Sequence, residues 1–201
     1  MTSRALPSEE EIRALVRDVV AGIAASSPSG AAESPPVPEP APVSPPASAA
    51  GTVAIGADHG GFRLKERLSF RLGEQGWTVL DCGTDSTEAA DYPRFAQAVA
   101  EKVAAGEAES GIIVDGAGIG SAMVANKVPG VRAALCYDLS SAANSREHNH
   151  ANVLTLGAGL IGESLAWQIV QRWLETPWAE GRHANRVSMI DDVDRRYRGG
   201  R

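Results

Sequence analysis

The stretch GIIVDGAGIGSAMVANKVPG, residues 111–130, decides how the chain is read. Ile112, Ile113 and Val114 form a short apolar run of the kind found in a strand buried on both faces. The run stops at Asp115, a glycine-rich loop follows from Gly116 to Gly120, and SAMVANKV continues as a helix. Strand, glycine loop and helix in direct succession are the repeating unit of a parallel α/β sheet. A question comes with it. Asp115 puts a carboxylate where the loop's backbone N–H groups and the start of the helix invite an anion.

Working outward, the same alternation recurs from residue 51 onward. TVAIGAD, WTVLDCG, VRAALCYD and ANVLTLGAG read as further strands. FRLKERLSFRLGEQG, YPRFAQAVAEKVAAGE, SSAANSREHN and ESLAWQIVQRWLET read as helices between and after them, the first with Leu64, Leu68 and Leu72 on one face. The expected fold is α/β, a doubly wound parallel sheet with helices on both faces. In such sheets ligands bind beyond the carboxyl ends of the strands. Asp58–His59, Cys82–Gly83, Asp115–Gly120, Tyr137–Asp138 and Gly157–Gly159 therefore fall on one rim.

The segments before residue 51 have a different character. Residues 1–26 read as an amphipathic helix: Ser8 and Glu11 match a capping box, and Ile12, Leu15, Val16, Val19 and Ile23 recur at helical spacing. Residues 27–50 are rich in proline, alanine and serine and read as an extended flexible linker. An apolar stripe held out on such a tether is a docking peptide, with the alternative that it folds back onto the core or a partner copy. A membrane-surface helix is disfavoured, because the polar face is acidic rather than lysine-rich.

Composition excludes several classes. A net charge of −6 argues against a nucleic-acid-binding surface. No apolar run approaches the length of a membrane span, and the acidic start lacks the apolar core of a signal peptide. Cys82 and Cys136 show neither CxxC pairing nor metal-ligand spacing and read as reduced thiols of a cytosolic protein.

On the rim, the loop Gly116–Gly120 is a candidate nest for a phosphate or for the oxyanion formed when a proton leaves carbon beside a carbonyl. It is not a Walker loop, since no GK[ST] follows. His59 ends the first strand beside Asp58. His148 and His150 lie near a helix end, from which one of them would reach the same cleft. Arg182 and Arg186, with His183 between them, are spaced to share a helix face and grip a phosphate.

GADHGGFRLKE, GTDSTEAADYP, GAGIGSAMVANKVPGVRAALCYD, REHNHANVLTLGAGLIG and EGRHANRV, taken together in this order, resemble ribose-5-phosphate isomerase B and its galactose-6-phosphate isomerase relatives. The resemblance spans residues 52–197. It implies a Rossmann-like fold, a homodimer or tetramer whose active sites draw residues from two subunits, no metal or nucleotide cofactor, and aldose–ketose interconversion of a sugar phosphate through a cis-enediolate. Carried over residue by residue, it makes Asp58 and His59 the pair beside the sugar and its phosphate, and Tyr92 a pocket wall. Gly116, Gly118 and Gly120 become the anion hole, His148 the group that opens the sugar ring and Asn149 its neighbour at the substrate. Arg182 and Arg186 become the phosphate ligands, with His183 a lesser candidate. The layout of helix, linker and catalytic domain similarly resembles enzymes carried into bacterial microcompartments by an encapsulation peptide, with residues 8–25 meeting shell proteins.

The chain departs from the family at its centre. Relatives place a cysteine base and a threonine where this chain has Asp115 and Ala117. A second branch puts a glutamate base at the position of Ser121. Two expectations follow: Asp115 is the base, or the chain is a catalytically altered sugar-phosphate-binding or scaffold protein of the same fold.

Overall fold

A computed structural model describes residues 8–25 and 51–198. The linker reading of residues 27–50 lies outside the described residues. The first helix, α1 (Glu9–Ala25), begins as the sequence predicts. The Ser8 amide donates to Glu11 Oε2 at 2.7 Å, and the Glu11 amide donates to Ser8 Oγ at 3.3 Å. These bonds from Ser8, backbone first, hold the Glu11 carboxyl below its ordinary range. Ile12, Leu15, Val16 and Val19 are all exposed on this helix, Leu15 by 68%.

From residue 51 the chain forms a five-stranded, all-parallel sheet. Its elements are β1 (Thr52–Ala57), α2 (Phe62–Glu74), β2 (Thr78–Asp81), α3 (Tyr92–Ala104), β3 (Ser110–Asp115), α4 (Ile119–Ala125), β4 (Ala133–Leu135), α5 (Leu139–Glu147), β5 (Val153–Gly157), α6 (Glu163–Glu175) and α7 (Glu180–Arg198). The order across the sheet is β2-β1-β3-β5-β4. β5 inserts between β3 and the three-residue β4, which is left as an edge and is shorter than its apolar sequence suggests.

Strand alternation sorts side chains to two faces. Val53, Ile55, Ile112, Val114, Leu154 and Leu156 pack on one, against Leu64, Leu68 and Leu72 of α2 and Ala166, Ile169, Val170 and Trp173 of α6. Ala54, Ile113 and Val153 pack on the other, against Ala96, Val99, Ala100 and Val103 of α3 and Ala125 of α4. Both cysteines are free thiols. Among the described residues, no helix is long and apolar enough to cross a membrane. α7 was legible in the sequence only around Arg182–Arg186. It is 19 residues long, with Gly181 at φ 33°, ψ −127° bending the chain at its start.

The strand order reverses at β1: the chain passes to β2 on one side and to β3 on the other. The crevice between the carboxyl ends of β1 and β3 is the topological switch point, where such sheets bind ligands. Asp58 follows β1 and Asp115 ends β3, so the two carboxylates flank it.

Candidate active site

Asp58 is buried and shapes the turn into α2, its Oδ1 accepting the Gly61 amide at 3.0 Å. His59 is nearly half exposed. The β2–α3 loop steadies its ring, with the Ala90 amide 3.1 Å and the Ala90 carbonyl 3.2 Å from Nδ1. The backbone of one residue thus serves either tautomer, its N–H donating to a bare Nδ1 or its carbonyl accepting from a protonated one. Tyr92, at the start of α3, lies against the glycine loop. A Cβ on Gly120 would sit 2.6 Å from its ring, so glycine is what permits the approach.

Asp115 is 5% exposed and answers the question its sequence context raises. Its Oδ1 accepts the Ala117 amide at 2.8 Å and the Gly118 amide in a short bond. Its Oδ2 accepts the Ser121 amide at 3.2 Å and, again in a short bond, the Ser121 hydroxyl. The chain's own carboxylate therefore occupies part of the nest that the glycines build. This divides the anion-hole expectation. The Gly118 N–H is committed to Asp115, whereas those of Gly116 and Gly120 have no protein acceptor among the described residues. Gly118 stands at φ 76°, where a Cβ would come within 2.9 Å of the Leu156 carbonyl carbon, so only glycine turns the loop here.

The remaining expected residues gather elsewhere. His148 caps the carboxyl end of α5, its Nδ1 2.8 Å from Asn144 Nδ2, and its ring stacks on His183 with centroids 4.3 Å apart. Asn149 is exposed, with Nδ2 3.4 Å from the Asn144 carbonyl. Arg182 and Arg186 are exposed one helical turn apart on either side of the buried His183. Burial, then the charges of His148, Arg182 and Arg186, push the His183 imidazole below its ordinary pKa. His150 turns away from this group. It adopts φ 50° and stacks on Trp178 at 4.0 Å, while Arg132 Nε donates to its carbonyl at 2.9 Å.

α5 runs back along the sheet and delivers His148 just before β5 begins at Val153, at the amino edge. Asp115 pairs in register with Gly157, the last residue of β5. The length of β5, roughly 15 Å at about 3.3 Å per residue, lies between the two edges. The expectation that His148 or His150 reaches the same cleft is thus not met within one chain. Asp58, His59, Tyr92 and Asp115–Gly120 share the carboxyl edge; His148, Asn149, Arg182, His183 and Arg186 share the amino edge.

Three residues have roles that the sequence reading does not give. Ser121 reads in sequence only as the position of a relative's glutamate, Tyr137 of the rim donates its hydroxyl to the Ala117 carbonyl at 2.8 Å, and Arg132 bridges His150 to Asp191. Only a polar residue in the first turn after the glycine loop signalled Ser121. Tyr137 was marked only by its place on the rim, and nothing local marked Arg132.

The family model for Ribose/Galactose Isomerase matches residues 53–190. The chain belongs to the ribose/galactose isomerase family. Ribose-5-phosphate isomerase B of Escherichia coli (strain K12) is 44% identical over 144 residues, which cover 72% of this chain and 97% of that protein. The solved structure of Clostridium thermocellum ribose-5-phosphate isomerase B superposes with a TM-score of 0.72 at 45% identity, covering 73% of this chain and 99% of that one. That of Mycoplasma genitalium ribose-5-phosphate isomerase B with bound ribulose-5-phosphate gives 0.71 at 36% identity, covering 74% and 99%. By class, this member of the family is a sugar-phosphate aldose–ketose isomerase.

Proposed function

We propose that the chain interconverts ribose 5-phosphate and ribulose 5-phosphate, or a related pair of sugar phosphates, through a cis-enediolate, with Asp115 as the base. The observation that carries this reading is Asp115 itself, a carboxylate at the switch point beside the Asp58–His59 turn and the unpaired amides of Gly116 and Gly120. Asp115 takes the C2 proton while the C2–H electron pair becomes the C1–C2 double bond and the carbonyl pair moves onto O1. The O2 hydroxyl then passes its proton to the O1 oxyanion, the O2 electron pair forms the C2 carbonyl, and the C1–C2 double-bond pair takes the proton back from Asp115 at C1. Amides aimed at the developing oxyanion lower the barrier.

His148 opens the sugar ring, and Arg182 and Arg186 hold the phosphate through charge-assisted bonds. Because these groups stand at the opposite edge of the sheet from Asp115, the reading requires a homodimer. One subunit supplies the carboxyl edge and its partner the amino edge. The exposed apolar strip of Met189, Ile190, Val193 and Tyr197 on α7 supports such an assembly.

α1 is proposed to carry the enzyme from the cytoplasm into a bacterial microcompartment, docking its stripe of Ile12, Leu15, Val16 and Val19 on shell proteins. Residues 1–50 fused to a reporter and co-expressed with shell proteins then recruit it, and Leu15→Glu abolishes recruitment. Equal recruitment with and without residues 1–26 rules targeting out.

One observation favours the second reading, a non-catalytic sugar-phosphate-binding or scaffold protein: four donors already engage the Asp115 carboxylate. An assay of the purified chain against pentose and hexose phosphates separates the two. Turnover that Asp115→Asn abolishes supports the enzyme, and absence of turnover with every substrate supports the binding protein.

A further inference from the structure

The donors around Asp115 are of two kinds, and the difference matters for a group that must gain and lose a proton. Ala117, Gly118 and Ser121 each present a backbone N–H, which can only donate. The fourth donor is the Ser121 hydroxyl, which can donate or accept by rotating about its C–O bond. Ser121 is fully buried, so its side chain serves Asp115 and not the solvent.

We infer that Ser121 is the positioning residue that lets Asp115 exist both as a carboxylate and as a carboxylic acid in the same nest, with the transferred proton on Oδ2. This rests on the reading of Asp115 as the base. In the ionised state all four groups donate to the two carboxylate oxygens. When Asp115 takes the proton from C2, that proton has two places to go. On Oδ1 it would point at the amide hydrogens of Ala117 and Gly118, which offer no lone pair. On Oδ2 it meets the Ser121 oxygen, and the hydroxyl reverses from donor to acceptor. Oδ1, now the carbonyl oxygen, keeps its two amides, and the Ser121 amide still finds a lone pair on Oδ2.

The transferred proton and all three amides are thus paired after the transfer, the Ser121 hydrogen alone giving up its acceptor on Oδ2, and no backbone atom has to move. A buried donor set made only of amides would instead oppose the protonated form, because an unpaired buried polar group is costly. The serine gives an otherwise anion-selective nest a second stable state. It also explains how a carboxylate with four donors can still act as a base.

The test uses the full chain with ribose 5-phosphate and galactose 6-phosphate as probes, and compares wild type, Ser121→Ala, Ser121→Cys, Ser121→Thr and Asp115→Asn. Ser121→Ala removes the hydroxyl, Ser121→Cys keeps the volume with a weak donor and acceptor, and Ser121→Thr keeps the hydroxyl. The inference expects kcat to fall about tenfold or more in the alanine and cysteine variants, with KM within about twofold of wild type. It expects threonine to retain most of the rate. A C2-deuterium isotope effect on kcat at least as large as wild type in Ser121→Ala would show proton transfer to be the step that slowed.

Wild-type kcat in both the alanine and cysteine variants, with Asp115→Asn inactive, overturns the role of Ser121 and leaves Asp115 as the base. A loss in those variants that comes with a matching rise in KM and a lowered melting temperature, unrelieved by threonine, reduces Ser121 to a packing residue and also overturns it. Full activity in Asp115→Asn, or no turnover of either probe by wild type, removes the base reading and this inference together.

Discussion

Asparagine at position 115 would turn an amide NH2 toward hydrogens that now find carboxylate oxygens, so Asp115→Asn loses the base and mismatches its own loop. The expected loss in kcat is about 10²–10⁴-fold, measured by steady-state assay, with the fold retained by circular dichroism. Lys65 makes a different case. Its side chain is almost wholly buried, with Nζ 2.6 Å from Asp81, 3.0 Å from Glu66 and 3.0 Å from the Thr84 carbonyl. Burial pulls its pKa down, but the bonds and charges of Asp81 and Glu66 outweigh this and leave it raised above 10.5. A lysine whose folded pKa is raised adds stability that is complete below its ordinary value and is lost as pH climbs through the raised one. Because Asp81 is half exposed, Lys65→Met is expected to cost only about 1–3 kcal/mol in urea unfolding at neutral pH. The deficit relative to wild type narrows in alkali. A deficit that does not change from neutral pH to above 10.5 would contradict the assignment.

Helices α5 and α6 meet through Trp173, which is fully buried, donates Nε1–H to Ser145 Oγ at 3.1 Å and lies 4.7 Å beneath the Arg146 guanidinium. Trp173→Ala leaves a large cavity there and is expected to cost about 3–5 kcal/mol, read by thermal or urea unfolding followed by circular dichroism. A cost below about 1 kcal/mol would mean that α6 is held by its aliphatic contacts alone. The periodicity of α2, α3 and α6 was plain in the sequence, because each buries one stripe against one face of the sheet. β4 and α7 were less legible for a physical reason. An edge strand of three residues carries little pattern, and a helix whose apolar residues stay exposed lacks the contrast between a buried and a solvated face.

At the scale of the whole molecule, the separation of His148 from Asp115 across the sheet leads to a decisive mixing experiment. Asp115→Asn and His148→Ala, each inactive alone, are expected to recover about a quarter of wild-type activity when unfolded and refolded together in equal amounts. Half the dimers are then mixed, and one of the two sites in each is intact. No recovery would remove the shared site. The sequence by itself determined the alternation of strands and helices, the parallel sheet, the rim of loops at its carboxyl edge and the capped amphipathic α1. These follow from local periodicity and from residues within a few positions of one another. Only the tertiary structure decided that Asp115 fills its own glycine nest, that Ser121 shares it, and that the arginines of α7 join His148 at the other edge. A carboxylate's partners depend on where a loop folds back, and the docking of α7 against His148 depends on packing after the last strand, so neither is written in spacing along the chain.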